Sequence, residues 1–147
     1  VGLLIVLPLS VMLAELFPTR PPTIGNKEVV VRRGFDGHFH VKAYVNDTPI
    51  DFLIDTGASF VSLAPSDAKS VGFNLDRLTY DQKMVTPSGT VMAARVSLKE
   101  VRIGSIRIQK VYAIVSRKEG IGSLLGMTFL NRLSGFAVEG NSMILKP

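Results

Sequence analysis

The sequence predicts an all-β, barrel-like domain with two short helices. Three observations carry that expectation. Short runs rich in Val, Ile, Leu and Thr recur along the chain, several of them alternating with polar residues. Turn-forming pairs punctuate these runs, among them Asp36-Gly37, Asn46-Asp47, Gly104-Ser105 and Gly140-Asn141. Helix signals are confined to two brief stretches, and no tandem repeat at solenoid spacing is present. A chain of 147 residues accommodates one domain and not two large ones.

Taken in order, the domain starts near Lys27 with the β-branched run Glu28 to Arg32. Asp36-Gly37 signals a tight hairpin. Phe39, Val41, Ala43 and Val45 then alternate with His38, His40, Lys42 and Tyr44, the pattern of a half-buried strand. After Asn46-Asp47, a strand from Pro49 to Ile54 leads into Asp55, and Phe60 to Leu63 forms another. Pro65 to Val71 reads as a helix: Pro stands at its start, Asp67 in its first turn and Gly72 at its end. Lys83–Thr86 and Val91–Leu98 flank a hairpin tip at Pro87-Ser88-Gly89. Val101–Ile103 and Ile106–Ile108 flank Gly104-Ser105, and Val111–Val115 follows. Ser116 to Gly122 is a polar loop. Leu124-Leu125-Gly126 enters a helix expected over Met127 to Leu133, and Phe136–Glu139 and Met143–Leu145 close the domain.

The first stretch differs in kind. Val1 to Phe17 carries one charge, Glu15, and is otherwise almost wholly apolar. A membrane-spanning helix needs about 17 to 25 such residues. No small-x-small signal-cleavage pattern follows, and no polar face marks an amphipathic core helix. Residues 1–17 are therefore expected to be the end of a membrane anchor, truncated because the chain opens on Val, with Pro8 as a tolerated kink. Residues 18–26, with Pro18, Pro21 and Pro22, read as a stiff linker, and 27–147 as the folded domain.

Composition removes several function classes. With no cysteine, disulfides and thiolate metal sites are excluded. His38 and His40 are the only histidines, and nothing beside them completes a ligand set, so no metal is expected. The net charge is +5 and the pI near 9.7, yet the only adjacent basic pairs are Arg32-Arg33 and Arg117-Lys118. A nucleic-acid partner, which favours a denser basic stripe with interleaved aromatics, is not expected.

Chemistry concentrates at Asp55-Thr56-Gly57-Ala58. An apolar strand ends on a carboxylate, followed by a stiff β-branched hydroxyl residue and a glycine able to bend the chain through φ > 0. Together with the hairpin around Pro87-Ser88-Gly89-Thr90 and with Leu124-Leu125-Gly126 before a helix, this ordered set resembles the retroviral-type (retropepsin-like) aspartic proteases. The likeness runs from about His38 to the C-terminus. Leu124 to Leu133 is similar to a bacterial branch that often carries membrane-spanning segments ahead of the protease.

The resemblance implies a single-lobe aspartic protease barrel with a short C-terminal helix, working as a twofold homodimer. Such an enzyme needs two facing carboxylates that cannot both ionise. This chain has a single Asp-Thr-Gly, so the second carboxylate must come from an identical subunit. By the same resemblance Asp55 is the catalytic carboxylate. Thr56 hydrogen-bonds across the dimer axis, and Gly57 lets backbone approach the carboxylate. Ala58 stands where bilobed relatives often have a hydroxyl residue. Pro87, Ser88, Gly89 and Thr90 form a flap tip, less glycine-rich than in viral members, that closes over an extended peptide. Leu124, Leu125 and Gly126 support the Asp55 loop.

The implied activity is an aspartic endopeptidase acting on protein or peptide, with water as nucleophile and no cofactor. The expected location is the periplasmic side of a bacterial inner membrane. Phe17-Pro18 is a candidate self-cleavage bond, against the plainer reading of an aromatic at the membrane edge before a helix-stopping proline. A non-catalytic peptide-binding or dimerisation module of the same fold is the alternative.

Overall fold

In a computed structural model that describes residues 27–147, ten strands form two sheets. Strand β1 (Val29–Arg32) pairs antiparallel with β10 (Ser142–Lys146), which pairs with β9 (Gly135–Glu139), giving a three-stranded sheet from the two ends of the described residues. The larger sheet runs β2 (His40–Val45), β3 (Thr48–Ile54), β8 (Leu124–Leu125), β4 (Val61–Leu63), β7 (Ile106–Ser116), β6 (Gly89–Ile103) and β5 (Gln82–Thr86). A second pairing of β2, with the far end of β6 at Tyr44–Arg102 and Val45–Val101, bends this sheet back on itself into a barrel.

Alternation decides which face is buried. Along β2, Ala43 and Val45 turn inward, and along β3, Ile50, Phe52 and Ile54 do so. They meet Val61, Leu63, Leu98, Val101, Val111, Val115, Leu125 and Phe129 in one core. Asn46 and Asp47 adopt positive φ of 48° and 71°, which gives the β2–β3 hairpin its two-residue turn. Helix α1 (Pro65–Val71) has the expected limits, and Gly72 at φ 113° ends it with its N–H on the carbonyls of Ala68 and Lys69.

Four expectations are corrected. Asp36-Gly37 does not close a hairpin ladder: β1 goes to β10 and β2 to β3, leaving one isolated bridge, Arg33–Phe39. The strands expected to break at Lys99-Glu100 and at Gln109-Lys110 are continuous. Glu100 pairs with Gln109, and only Lys110, at φ 55°, distorts the ladder. The helix expected to Leu133 is a single turn, α2 (Met127–Leu130), followed by turns through Leu133. A 3-10 turn at Leu75–Arg77, capped by the Asn74 side chain, was not foreseen.

The expected anchor at 1–17, the linker at 18–26 and the Phe17-Pro18 bond lie outside the described residues. Among those residues no helix is long and apolar enough to cross a membrane.

Candidate active site

The Asp55 loop is built around β8. This two-residue strand lies between β3 and β4, parallel to β3 at Leu53–Leu124 and Ile54–Leu125 and antiparallel to β4 at Ser62–Leu124. The chain from Asp55 to Phe60 must therefore arch over the end of β8 to pass from β3 to β4. Asp55 N–H donates to the Leu125 carbonyl at 3.1 Å, and Ala58 N–H to the Asp55 carbonyl at 3.1 Å. Met127 N–H donates to the Ala58 carbonyl at 2.8 Å, which fixes the far side of the arch. Leu125 is fully buried beneath it, and Leu124 half-buried.

Gly126 makes the arch possible by lacking a side chain, and Gly57 leaves the Asp55 carboxylate clear. A Cβ at Gly126 would lie 2.3 Å from the Phe60 carbonyl oxygen and 2.6 Å from that of Ala58. At Gly57 a Cβ would lie 3.2 Å from Asp55 Oδ1. Gly57 is not at positive φ, contrary to the expectation from its residue type. Its bareness instead lets its N–H reach Asp55 Oδ1, at 2.8 Å. That bond aims the carboxylate, which is half-exposed. Among the described residues Asp55 Oδ2 accepts no hydrogen bond, and no other carboxylate is bonded to Asp55. Thr56 is exposed, and its hydroxyl has no partner among the described residues.

Several positioning residues were not singled out from the sequence. Thr128 Oγ1 accepts from Val61 N–H at 2.8 Å and ties α2 to β4. Ser123 Oγ accepts from Ala64 N–H at 3.0 Å and donates to Asp67 Oδ2 at 2.5 Å, while its carbonyl accepts from Leu53 N–H. Ile54 N–H donates to the Phe39 carbonyl at 2.9 Å, so the turn before β2 braces the strand one residue from Asp55. That turn is itself held by Arg33, whose guanidinium lies 4.5 Å from the Phe39 ring centre and donates to the Gly37 and Gly140 carbonyls. Isolated Thr and Ser residues carry no local sequence signal for such roles.

The residues expected to form a flap tip lie in a hairpin. β5 and β6 pair from Gln82–Ala93 to Thr86–Gly89, leaving Pro87-Ser88 as the tip. Gly89 stands at φ 123°, and the Thr86 hydroxyl donates to its carbonyl at 2.7 Å. Pro87, Ser88, Gly89 and Thr90 are all exposed, and no hydrogen bond joins them to the Asp55 loop. One contact links the hairpin to the sheet below: buried Ser62 directs its hydroxyl to Met84 Sδ at 3.7 Å. Among the described residues no cluster of His, Asp and Glu is arranged to hold a metal. Asp36, His38 and His40 remain a surface group, with His40 Nε2 2.6 Å from Asp36 Oδ2.

Comparison with known proteins agrees with this geometry. Residues 41–129 match the family model described as aspartyl protease. An uncharacterized protein of Rickettsia prowazekii is 34% identical over 91% of this chain, and one from a Sinorhizobium species 35% over 92%. The chain spans 58% and 60% of the length of those two relatives. A retropepsin-like aspartic protease from Rickettsia conorii superposes with a TM-score of 0.74 at 34% identity, over 84% of this chain and 93% of that one. The protease of EIAV, solved with an inhibitor, gives 0.58 at 19% identity, over 71% and 96% of the two chains, a likeness of fold alone. With an Asp-Thr-Gly arch on a β8 spacer, a single-lobe barrel and these relatives, the chain belongs to the retropepsin-like aspartyl proteases.

Proposed function

We propose that the chain is an aspartic endopeptidase whose catalytic pair consists of Asp55 from each of two identical subunits. The observation that carries this reading is the arch itself: the Asp55 carboxylate is aimed by Gly57 N–H through Oδ1 and keeps Oδ2 free of partners among the described residues. An acid–base pair needs a second carboxylate, and a twofold axis beside Asp55 supplies one. The unpartnered Thr56 hydroxyl fits a contact across that axis. Fully exposed Phe35, on the turn braced against Ile54, is apolar surface for a second copy to cover.

In the dimer the two carboxyls share one proton. The ionised member takes a proton from water as the water oxygen bonds to the peptide carbonyl carbon. The protonated member gives its proton to the carbonyl oxygen. Proton transfer to the amide nitrogen and scission of the C–N bond then release an acid and an amine, and the pair again holds one proton. The flap hairpin would lie over the extended peptide and exclude bulk water.

Asp55→Asn tests the reading. Loss of casein cleavage with dimerisation retained supports it, whereas a parent protein that binds peptides and never hydrolyses them points to the non-catalytic module.

We further propose that residues 1–17 tether the domain to a bacterial inner membrane with the protease on its periplasmic side. The apolar composition of that segment supports this. Membrane fractionation of the full-length protein, with protease protection in spheroplasts, tests it. Recovery in the soluble fraction would remove the tether.

A further inference from the structure

One cleft is lined by Arg77, Leu78, Thr79, Asp81, Gln82 and Arg95, and its lining includes no residue of the Asp55 loop. A continuous row of cross-strand partners nevertheless connects it to that loop: Leu53 with Leu124, Leu124 with Ser62, Ser62 with Ile114, and Ile114 with Arg95. Directly paired residues share one face of a sheet, and this row is the face opposite the core. Asp55 stands one residue beyond β3 and two past Leu53, at the Leu53 end of this row. Met84, which meets the Ser62 hydroxyl, places the flap hairpin over this row.

The charges in the cleft are poorly matched. The Arg77 guanidinium has no hydrogen-bond or ion-pair partner among the described residues, its backbone N–H alone donating to the Asn74 carbonyl. Arg95 donates one hydrogen bond, from Nη2 to the neutral Gln82 Oε1 at 3.0 Å. Asp81 forms no ion pair with either guanidinium and only a 3.4 Å contact with Gln82 Nε2. Two guanidiniums beside one carboxylate leave room for a single negative charge, while a dianion such as phosphate would be repelled by Asp81.

We propose that this cleft is a substrate subsite for a carboxylate, carried by an acidic side chain or by the C-terminus of the peptide. The proposal rests on the endopeptidase reading and adds a substrate class to it. Four strand spacings separate Leu53 from Arg95, about 19 Å, which an extended peptide covers in about six residues. The acidic group is therefore expected about six residues from the scissile bond. A twofold dimer has one such cleft on each side, so the preference holds in both directions along the peptide.

The test uses the full chain and a peptide sequence first recovered as a cleaved site in casein. Glu is scanned against Gln at positions four to seven on each side of the cut in C-terminally amidated peptides. A matching set ends in a free carboxylate at the same positions. A KM lower by roughly fivefold to tenfold for Glu at one of these positions supports the subsite. The same gain from the free terminus alone assigns the group to the C-terminus. Arg95→Glu should transfer the preference to a Lys peptide, which a misfolded variant could not do. Equal KM across the whole scan overturns the proposal. If the chain cleaves no peptide, fluorescence anisotropy with the labelled Glu and Gln peptides still reads the cleft. Tighter Glu binding then supports the subsite while the protease reading fails, and equal binding overturns the subsite too.

Discussion

The carbonyl oxygen of Phe60 stands 2.3 Å from where a β-carbon of residue 126 would sit. The obstacle is backbone, and the same backbone forms the arch that holds Asp55. Gly126→Ala is therefore predicted to push the arch off β8. Because main chain cannot rotate away, the cost should reach about 3 kcal/mol, the upper end for overpacking. Urea unfolding should show the loss, and peptide hydrolysis should fall further than stability alone explains. Wild-type stability in this variant would contradict the packing.

Thr128 acts on the same arch from its other end. Thr128→Val keeps the shape and removes the acceptor for Val61 N–H, leaving a part-buried donor unpaired. The expected loss is about 1–3 kcal/mol. Thr128→Ser keeps the hydroxyl and is expected to recover most of it. A valine variant as stable as the parent would show that the bond contributes nothing.

Gly57 should tolerate substitution better than Gly126 in stability and worse in function. A Cβ there meets only the Asp55 carboxylate oxygen, at 3.2 Å. Gly57→Ala is predicted to fold with little change in melting temperature and to lose at least about tenfold in kcat, because it displaces the oxygen that its own N–H aims. Normal turnover in the alanine variant would contradict that role.

The residue after Gly57 bears on pH. Ala58 offers no side-chain hydroxyl to favour the ionised form of the pair. Hydrolysis is predicted to peak at mildly acidic pH, and Ala58→Ser to extend activity toward lower pH. A wild-type optimum below about pH 3 would contradict this.

Asp36 offers a separate pH test. Its carboxyl is held below the ordinary 3.8, first by the His38 backbone N–H and then by His40. A lowered folded-state value means this stabilisation is present above pH 3.8 and is lost as pH falls through the folded value. Asp36→Asn should therefore flatten the acid side of the stability curve below that pH while leaving the neutral side parallel. The group is exposed, so the change is small. An unchanged acid limb would show that these bonds do not persist in solution.

How much of this was legible in the sequence follows from how local each signal is. Helix α1 could be read to the residue because Pro65, Asp67 and Gly72 each mark a helix end by their own chemistry. The Asn46-Asp47 and Gly104-Ser105 turns were equally readable. Asp55 and Leu124-Leu125-Gly126 were legible as parts of one ordered set. That Gly126 is needed for clearance from Phe60, 66 positions upstream, was not legible, because sequence does not show which backbone passes it. The separation of β1 from β2 was missed for the same reason: β1 is completed by β10 at the opposite end of the chain. Strands were expected to end at Leu98 and restart at Val101, yet the backbone of Glu100 is held by Asn46 from another hairpin.

The proposed pairing of Asp55 with its twin is tested most directly by mixing subunits. Wild-type protein is incubated with an equal amount of Asp55→Asn under conditions that allow exchange, and hydrolysis is compared with that of the same wild-type amount alone. Random pairing leaves about half of the wild-type chains with a wild-type partner, so the rate should fall to about half and approach zero as the variant is added in excess. A rate untouched by any excess of the exchanging variant, from material that sediments as a monomer while it hydrolyses peptide, would contradict the shared pair.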